Sequence, residues 1–423
     1  MREMKDSGIE WIGNIPNGWH IEKGKYCFTS KKEIPGIYSG KYKRLSLTLR
    51  GVVDRSKEDA EGLQPKDFNT YQLLRENELV FKLIDLQNIS TSRVGLSYST
   101  GLVSPAYIIL CANEKIVPLY AEKFYLMMWH RKIFNMLGDN GVRSNLGVSD
   151  LLNVFISVPP VCEQKRIADF LDSKCSEIDA ISADIQKEIE TLEQHKRSVI
   201  TEAVTKGLNP DAEMKDSGVA WCPQIPSNWQ YTNPKGLFGL RTDRAFRNDR
   251  QLTASQEYGI VYQDEYMEKT GNKVVTVTKD FSILKHVEPD DFVISMRSFQ
   301  GGLEYSDKRG CISSAYVMLI PNKEFVYAPF YRWFFKSSKY INALQSTSNL
   351  VRDGQAMRYA NFVKVPLFIV PIEEQKAIAS YLDEKIEKVN SILAEKKKQL
   401  EILSNYKKSL IYEYVTGKKE VLT

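Results

Sequence analysis

The chain has 423 residues and a mass of 48.5 kDa, with 43% hydrophobic and 26% charged residues. This is an ordinary globular composition, long enough for about two to four domains, and it excludes a disordered, collagenous or disulfide-scaffold protein. The net charge of +5, from 58 basic and 53 acidic residues, is a weak sign of a polyanionic partner.

No apolar run reaches the roughly 18 residues a membrane span needs. The opening stretch MREMKDSGIEWIG lacks an apolar signal core, so the cytosol is the expected compartment. The six cysteines are scattered without a C-x-x-C pair and the four histidines form no H-x-x-x-H pair. No structural metal is expected.

In chain order, the first feature is a repeat. MKDSGIEW at 4–11 returns as MKDSGVAW at 214–221, and Ile15-Pro16 with Trp19 returns as Ile225-Pro226 with Trp229. PVCEQKRIADFLD at 160–172 likewise returns as PIEEQKAIASYLD at 371–383. Between these blocks the halves diverge, leaving faint echoes: SPAYIIL at 104–110 beside SSAYVML at 313–319, and FYLMMW at 124–129 beside FYRWFF at 330–335. Two copies this large suit a pseudo-twofold, two-headed molecule, and a solenoid of short repeats is excluded.

The first head, residues 1–158, reads as mixed α and β. Strands are expected at Glu78–Leu83 and Ala106–Leu110, and a helix at Ala121–Leu137. From Glu163 to Gly207 runs a long helix without proline or glycine before its end. Leu171, Ile178, Ile185, Leu192 and Val199 recur every seven residues along it, with Cys175, Ile181 and Ile189 between them. The second head, residues 209–369, offers strands at Lys273–Thr278, Phe292–Met296 and Ala315–Ile320 and a helix at Phe330–Leu344. The chain closes, from 370 on, with a second long helix ended by Gly417. Its apolar rows are Ile386, Leu393 and Leu400, and Leu382, Val389, Leu403 and Leu410, interrupted by Lys396.

A two-row helix needs a partner for its stripe. The other copy in the same chain is the nearest one, and an antiparallel pair of long coiled-coil helices is expected. A coiled coil between two chains is the alternative. Either way the fold class is α+β, with two mixed α/β heads separated by helical spacers that would fix the distance between them. The domains are therefore residues 1–158, 159–208, 209–369 and 370–423.

The heads hold the residues suited to DNA. Arg, Asn and Gln read base edges through paired hydrogen bonds, and Lys and Arg take phosphates. Lys41, Lys43 and Arg44 lie in the first head, followed by Arg143 and Asn145 in GDNGVRSNLG at 138–147. In the second head RTDRAFRNDR at 241–250 places Arg241, Arg244, Arg247 and Arg250 three apart, which a helix would align on one side. Arg352, Gln355 and Arg358 follow in QSTSNLVRDGQAMRYAN at 345–361. Solvated loops, and for the arginine run an internally neutralised face, are the competing readings. The aromatic residues Phe124, Tyr125, Trp129, Phe330, Tyr331 and Trp333 read as core.

No phosphate-binding loop, dinucleotide-binding turn or nucleophile elbow is present. An amino-methylating DNA enzyme would carry Asn/Asp-Pro-Pro-aromatic; the nearest string is VPPV at 158–161, without the polar residue. The chain reads as non-catalytic.

The ordered set of repeated motifs resembles the specificity subunits of type I restriction-modification systems. D-S-G-x-x-W and I-P-x-x-W open each half, P-x-x-E-Q-K-x-I-A-x-[FY]-L-D opens each long helix, and KRSVITEAVTKGL at 196–208 and KKSLIYEYVTGKK at 407–419 end them. Ser104–Tyr107 and Ser313–Tyr316 fit the S-x-A-Y echo. The resemblance spans essentially the whole chain. It implies two target recognition domains, each reading half of a split, asymmetric double-stranded DNA site largely through the major groove. It implies spacer helices that dock two methyltransferase subunits, and two restriction subunits for cleavage. S-adenosylmethionine, ATP and Mg²⁺ would belong to those partners, with adenine N6 as the methyl acceptor. A two-headed protein-interaction scaffold without DNA binding is the alternative reading of the same architecture.

Overall fold

The computed structural model describes residues 2–421 apart from 59–66, 88–89, 138–144, 278–280, 296–297 and 348–357. The chain divides into two compact units, Met1–Gln186 with Lys398–Thr423, and Lys187–Lys397. The divisions fall inside the long helices, so each unit is built from one head and a portion of each helix.

Both units open alike. Met4–Asp6 pairs antiparallel with Asn14–Pro16, and Met214–Asp216 pairs in the same register with Gln224–Pro226. The D-S-G motif makes the intervening turn: the Asp6 and Asp216 carboxylates accept the N–H groups of Gly8 and Gly218. Both glycines have positive φ, +72° and +68°, where a side chain would be strained.

The first head holds two four-stranded sheets. One runs in the order Phe28–Ser30, Ile108–Ala112, Leu79–Phe81, Val94–Leu96, all antiparallel. The second runs Gly51–Arg55, Arg44–Thr48, Gly101–Val103, Gln72–Leu74, with one parallel pairing, Arg44 opposite Leu102. The second head repeats the first sheet as Phe238–Arg241, Val317–Pro321, Phe292–Ile294, Glu304–Tyr305. In place of the other sheet it has two antiparallel pairs, the hairpin Leu252–Ser255 with Gly259–Tyr262, and Lys285–Val287 with Gly310–Ile312. A parallel bridge from Gln251 to Cys311 stands where Arg44 meets Leu102.

The expected stretch Lys273–Thr278 is not a strand over its described residues. Its backbone bonds are taken by side-chain amides: Gln251 bonds both the N–H and the C=O of Val277 at 2.9 and 2.8 Å. The two expected head helices are each broken. In the first head α1 (Pro118–His130) stops before a short helix at Ile133–Leu137, because Lys132 adopts φ +59°. After the long helix α2 (Val161–Lys206), the second head has α3 (Ala328–Phe334), which ends before Ser337 turns extended and starts Ser338–Ser346. Phe124, Tyr125, Phe330 and Tyr331 are buried as expected, with Trp129 and Trp333 packed at the core's edge.

The last element is α4 (Ile372–Val415). At 1.5 Å per residue, the 46 residues of α2 span about 69 Å. In the first unit α2 and α4 run antiparallel: Phe170 stacks near Tyr414 with centroids 4.6 Å apart, and Asp179 accepts from Lys407 at 2.6 Å. They are antiparallel in the second unit too, with Glu188 against Lys396 and Lys196 donating to Asn390 at 2.7 Å. Leu171, Ile178, Ile185, Leu382, Ile386, Val389, Leu393 and Leu410 are buried. Leu192, Val199, Leu400 and Leu403 are half-buried, since the buried row moves to Ile200 and Val204 near the end of α2. Ile181, expected between the rows, points to solvent at 50% exposure. Lys396 interrupts the seam because its ammonium reaches out to Glu188.

Candidate nucleic-acid interface

The repeated motifs meet at one joint in each unit. Trp19 and Trp229 are fully buried, and each donates its indole N–H to the motif glutamate, Glu163 or Glu374, at 3.0 Å. The adjacent glutamine is equally buried and makes the same three bonds twice. Gln164 accepts from Val117 N and donates to the carbonyls of Lys115 and Pro159. Gln375 accepts from Tyr327 N and donates to the carbonyls of Phe325 and Val370. The aspartate closing the motif ties the helix to its head: Asp172 takes buried Lys123 at 3.0 Å, and Asp383 takes Arg332 and Trp333. Burial opposes the charge of Lys123, but Glu122 and Asp172 outweigh it and raise its pKa. The motif side chains are thus consumed in joining helix to head.

The glycine after each helix completes the joint. Gly417 lies against Pro16 and Trp19, and Gly207 lies against Glu374 and Trp229. The S-x-A-Y echo is a turn in both heads, closed by Tyr107 N–H on Ser104 O and Tyr316 N–H on Ser313 O at 3.1 Å.

Each head then carries an irregular loop in the same place. Leu73 N–H bonds Glu33 O in the first head, and His286 N–H bonds Asp243 O in the second. In the first head the loop contains a short 3-10 turn, Gly36–Lys41, whose Ile37 and Tyr38 are 84% and 59% exposed. Lys41 lies over the Tyr38 ring at 5.0 Å, and Lys43 pairs with Asp54 at 2.7 Å. Arg44 is not on this surface: it lies in the strand Arg44–Thr48, 6% exposed, over the Phe68 ring. Asn145 accepts the Asp85 N–H at 3.1 Å from an exposed position.

In the second head the stretch 241–250 is no helix, so the arginines do not form one row. Arg241 ends a strand and forms a two-point pair with buried Asp291, at 2.6 and 3.0 Å, plus a contact to Asp243. The Asp291 partner raises the Arg241 pKa further, securing its charge. Arg250 pairs with Asp264 at 2.8 Å and stacks on Tyr262 at 3.6 Å. Arg244 is exposed and donates to Ile283 O at 3.2 Å. Arg247 is exposed at a tight turn beside Asn248 and has no hydrogen bond or ion pair among the described residues. Asn248 carries no spacing signal of its own; its place beside Arg247 in the turn is what marks it. Arg358 is exposed at the start of the short helix Tyr359–Phe362. Arg143, Arg352 and Gln355 lie outside the described residues.

Among the described residues no group of three or more metal-ligating side chains is gathered, and no helix is long and apolar enough to cross a membrane. The built feature of each head is a solvent-facing loop with free or stacked cations on a rigid sheet.

This repeated fold has known counterparts. Residues 226–402 match the family described as type I restriction modification DNA specificity domain. The chain is 23% identical over 97% of its length to a protein of Methanocaldococcus jannaschii described as the type I restriction enzyme MjaX specificity subunit, covering 96% of it. It is also 23% identical, over 64% of its length and 63% of the relative, to the type I restriction enzyme MjaVIII specificity subunit of the same organism. A solved chain from work on complex assembly and conformational transition of the type I R-M system shares the fold, with TM-score 0.65 and 13% identity over 96% of this chain and 99% of that one. These matches liken the chain to the specificity subunits of type I restriction-modification systems.

Proposed function

We propose that the chain reads an asymmetric, bipartite double-stranded DNA site, one half per head, as the non-catalytic recognition subunit of a methyltransferase and restriction complex. The observation that carries this is the repeat itself: a joint whose tryptophan and glutamine bonds recur between helix and head, beneath loops of different sequence. A frame held constant under divergent loops is what two different half-sites require. The long helices would set the gap between the halves and dock two methyltransferase subunits, with two restriction subunits added for cleavage. Adenine N6 methylation needs the base out of the stack. The pocket for it, S-adenosylmethionine, ATP and Mg²⁺ are assigned to those partners.

Phosphate contacts would make binding salt-dependent despite the small net charge. Of the four arginines at 241–250, Arg244 and Arg247 are left for DNA, while Arg241 and Arg250 are held in ion pairs.

The test is to map N6-methyladenine across a genome carrying this gene and its methyltransferase partner, against a deletion of this gene. The expected result is a split asymmetric motif that vanishes on deletion. Equal heptad insertions in α2 and α4 should then lengthen the gap in that motif. A methylome unchanged by deletion, together with no salt-sensitive DNA binding by the assembled complex, would favour a protein-interaction scaffold.

A further inference from the structure

The second head contains a buried ion cluster under its arginine loop. His286, in the strand Lys285–Val287, has a side chain only 1% exposed. Its Nδ1 lies 2.7 Å from Asp249 Oδ2 and its Nε2 lies 2.8 Å from Glu288 Oε1. Asp249 is itself 3% exposed, and the same Oδ2 accepts the Phe246 N–H at 2.8 Å. This carboxylate therefore closes the turn Phe246–Asp249, whose middle residues are Arg247 and Asn248. The Phe246 ring packs edge-on to the imidazole with centroids 4.4 Å apart.

Both ring nitrogens face carboxylate oxygens. A neutral imidazole has one N–H, so either tautomer would set a nitrogen lone pair against a carboxylate at hydrogen-bond distance. Only the imidazolium donates to both sides, and its charge offsets the buried Asp249. The other charged groups facing the cluster do not substitute for it. Arg309, from the turn before Gly310–Ile312, stays 3.9 Å from Asp249 and 3.6 Å from Glu288 and is 61% exposed. Arg241 is committed to Asp291. Cys311, on the neighbouring strand, donates its thiol to Asp249 O, and burial and Asp249 push that thiol up to about 11. The hydrogen bond from His286 holds Glu288 below the usual carboxylate range.

We propose that His286, as an imidazolium, is the proton-dependent clasp that positions Arg247 and Asn248 for contact with DNA. The first head has no such clasp: Leu73 occupies the matching strand position, paired with Leu102 as His286 is paired with Cys311. The proposal rests on the DNA reading above and adds a regulation to it. His286 is a positioning residue and touches no DNA. Loss of its proton frees one of its two carboxylate contacts and loosens the turn, so the second head's hold on DNA should weaken as pH rises.

Two measurements on the full chain test this. The first labels histidine with ¹⁵N; the four histidines give few signals, and His286→Gln identifies the one in question. Without DNA at neutral pH, both ring nitrogens should carry protons, and a neutral tautomer would overturn the clasp. The second follows binding of a random-sequence DNA duplex pool as pH is raised from about 5 to about 8, the range in which histidine side chains change charge, at constant ionic strength. Affinity should fall about tenfold, the worth of one good arginine contact. Asp249→Asn still closes the turn but faces a neutral ring without repulsion, so its profile should be flat. A wild-type profile as flat as that of Asp249→Asn would overturn the proposal. Absence of duplex binding at every pH would instead count against the DNA reading, and the ring-protonation measurement would still decide the clasp.

Discussion

The two units share a frame and differ in what stands on it. Trp19, Glu163 and Gln164 in the first unit do what Trp229, Glu374 and Gln375 do in the second, with matching partners and distances, and Gly417 and Gly207 each follow a long helix at the joint. The loops above diverge fully: Ile37, Tyr38 and Lys41 over a leucine-lined sheet in one, Arg247 and Asn248 over a histidine clasp in the other. Trp19, Gln164 and their counterparts recur because their polar atoms must be satisfied in the interior, where a single substitution leaves an unpaired group. The loops face water, which satisfies any polar group, so their chemistry is free to change with the DNA they meet.

The largest effect should come from the buried glutamines. Gln164→Leu and Gln375→Leu each remove three hydrogen bonds and leave an N–H and two carbonyls without that partner, the carbonyls of Pro159 and Val370 in buried surroundings. At about 1–3 kcal/mol per orphaned group, tempered by relaxation, each should cost about 3–5 kcal/mol. Urea unfolding checks this. Similar losses for the two variants would confirm that the frames are energetically alike, and a clear difference would break the comparison.

The terminal glycines should separate the two joints. Both have positive φ, +70° at Gly417 and +76° at Gly207, so alanine costs about 1 kcal/mol at either. A Cβ on Gly417 would also fall 2.4 and 2.6 Å from the rigid Pro16 ring and 3.0 Å from Trp19. On Gly207 its one close contact would be the carboxylate end of Glu374, at 2.8 Å, which can give way slightly while keeping Trp229. Overpacking adds about 1–3 kcal/mol where nothing can move. Gly417→Ala should therefore cost about 2–4 kcal/mol and Gly207→Ala about 1–2 kcal/mol, read as the two shifts in urea midpoint.

Much of this was legible in the sequence. The repeat, the long helices, their glycine ends and the antiparallel pairing follow from heptad spacing and duplicated motifs, which are local signals. The buried aromatic residues followed from their helical spacing. The errors have physical causes. The arginines three apart suggested a helix, yet Asp291 and Asp264, distant in sequence, draw Arg241 and Arg250 into ion pairs, and the stretch between them folds into the turn Phe246–Asp249. Arg44 resembled its lysine neighbours but alternates inward as a strand residue. Lys273–Thr278 has the composition of a strand, but the amides of Gln251 and Gln263 take the bonds a neighbouring strand would make. The joint's chemistry was hidden as well, since Trp19 and Glu163 are 144 residues apart.

The smallest effect concerns a second histidine, of opposite sense. His130 ends α1 in the first unit, partly buried, with its Nδ1 enclosed and unpartnered among the described residues. Burial first, and then Lys408 and Lys407 of α4, lower its pKa from 6.5 to about 4. The folded unit thus favours the neutral ring, while the unfolded chain takes a proton at the ordinary value. Between those values the unfolded state binds more protons, so stability must fall as pH drops from about 6.5 toward about 4. The full shift corresponds to about 3 kcal/mol, and partial solvent access should reduce it to about 2 kcal/mol. His130→Leu should abolish this loss without altering the neutral-pH midpoint by more than about 1 kcal/mol, because no hydrogen bond of the ring is sacrificed. Urea midpoints of both chains across this pH window decide it. Parallel curves would mean that His130 is protonated in the fold. The first head would then hold a charged ring beside two lysines, and the contrast with the carboxylate-clasped His286 would be lost.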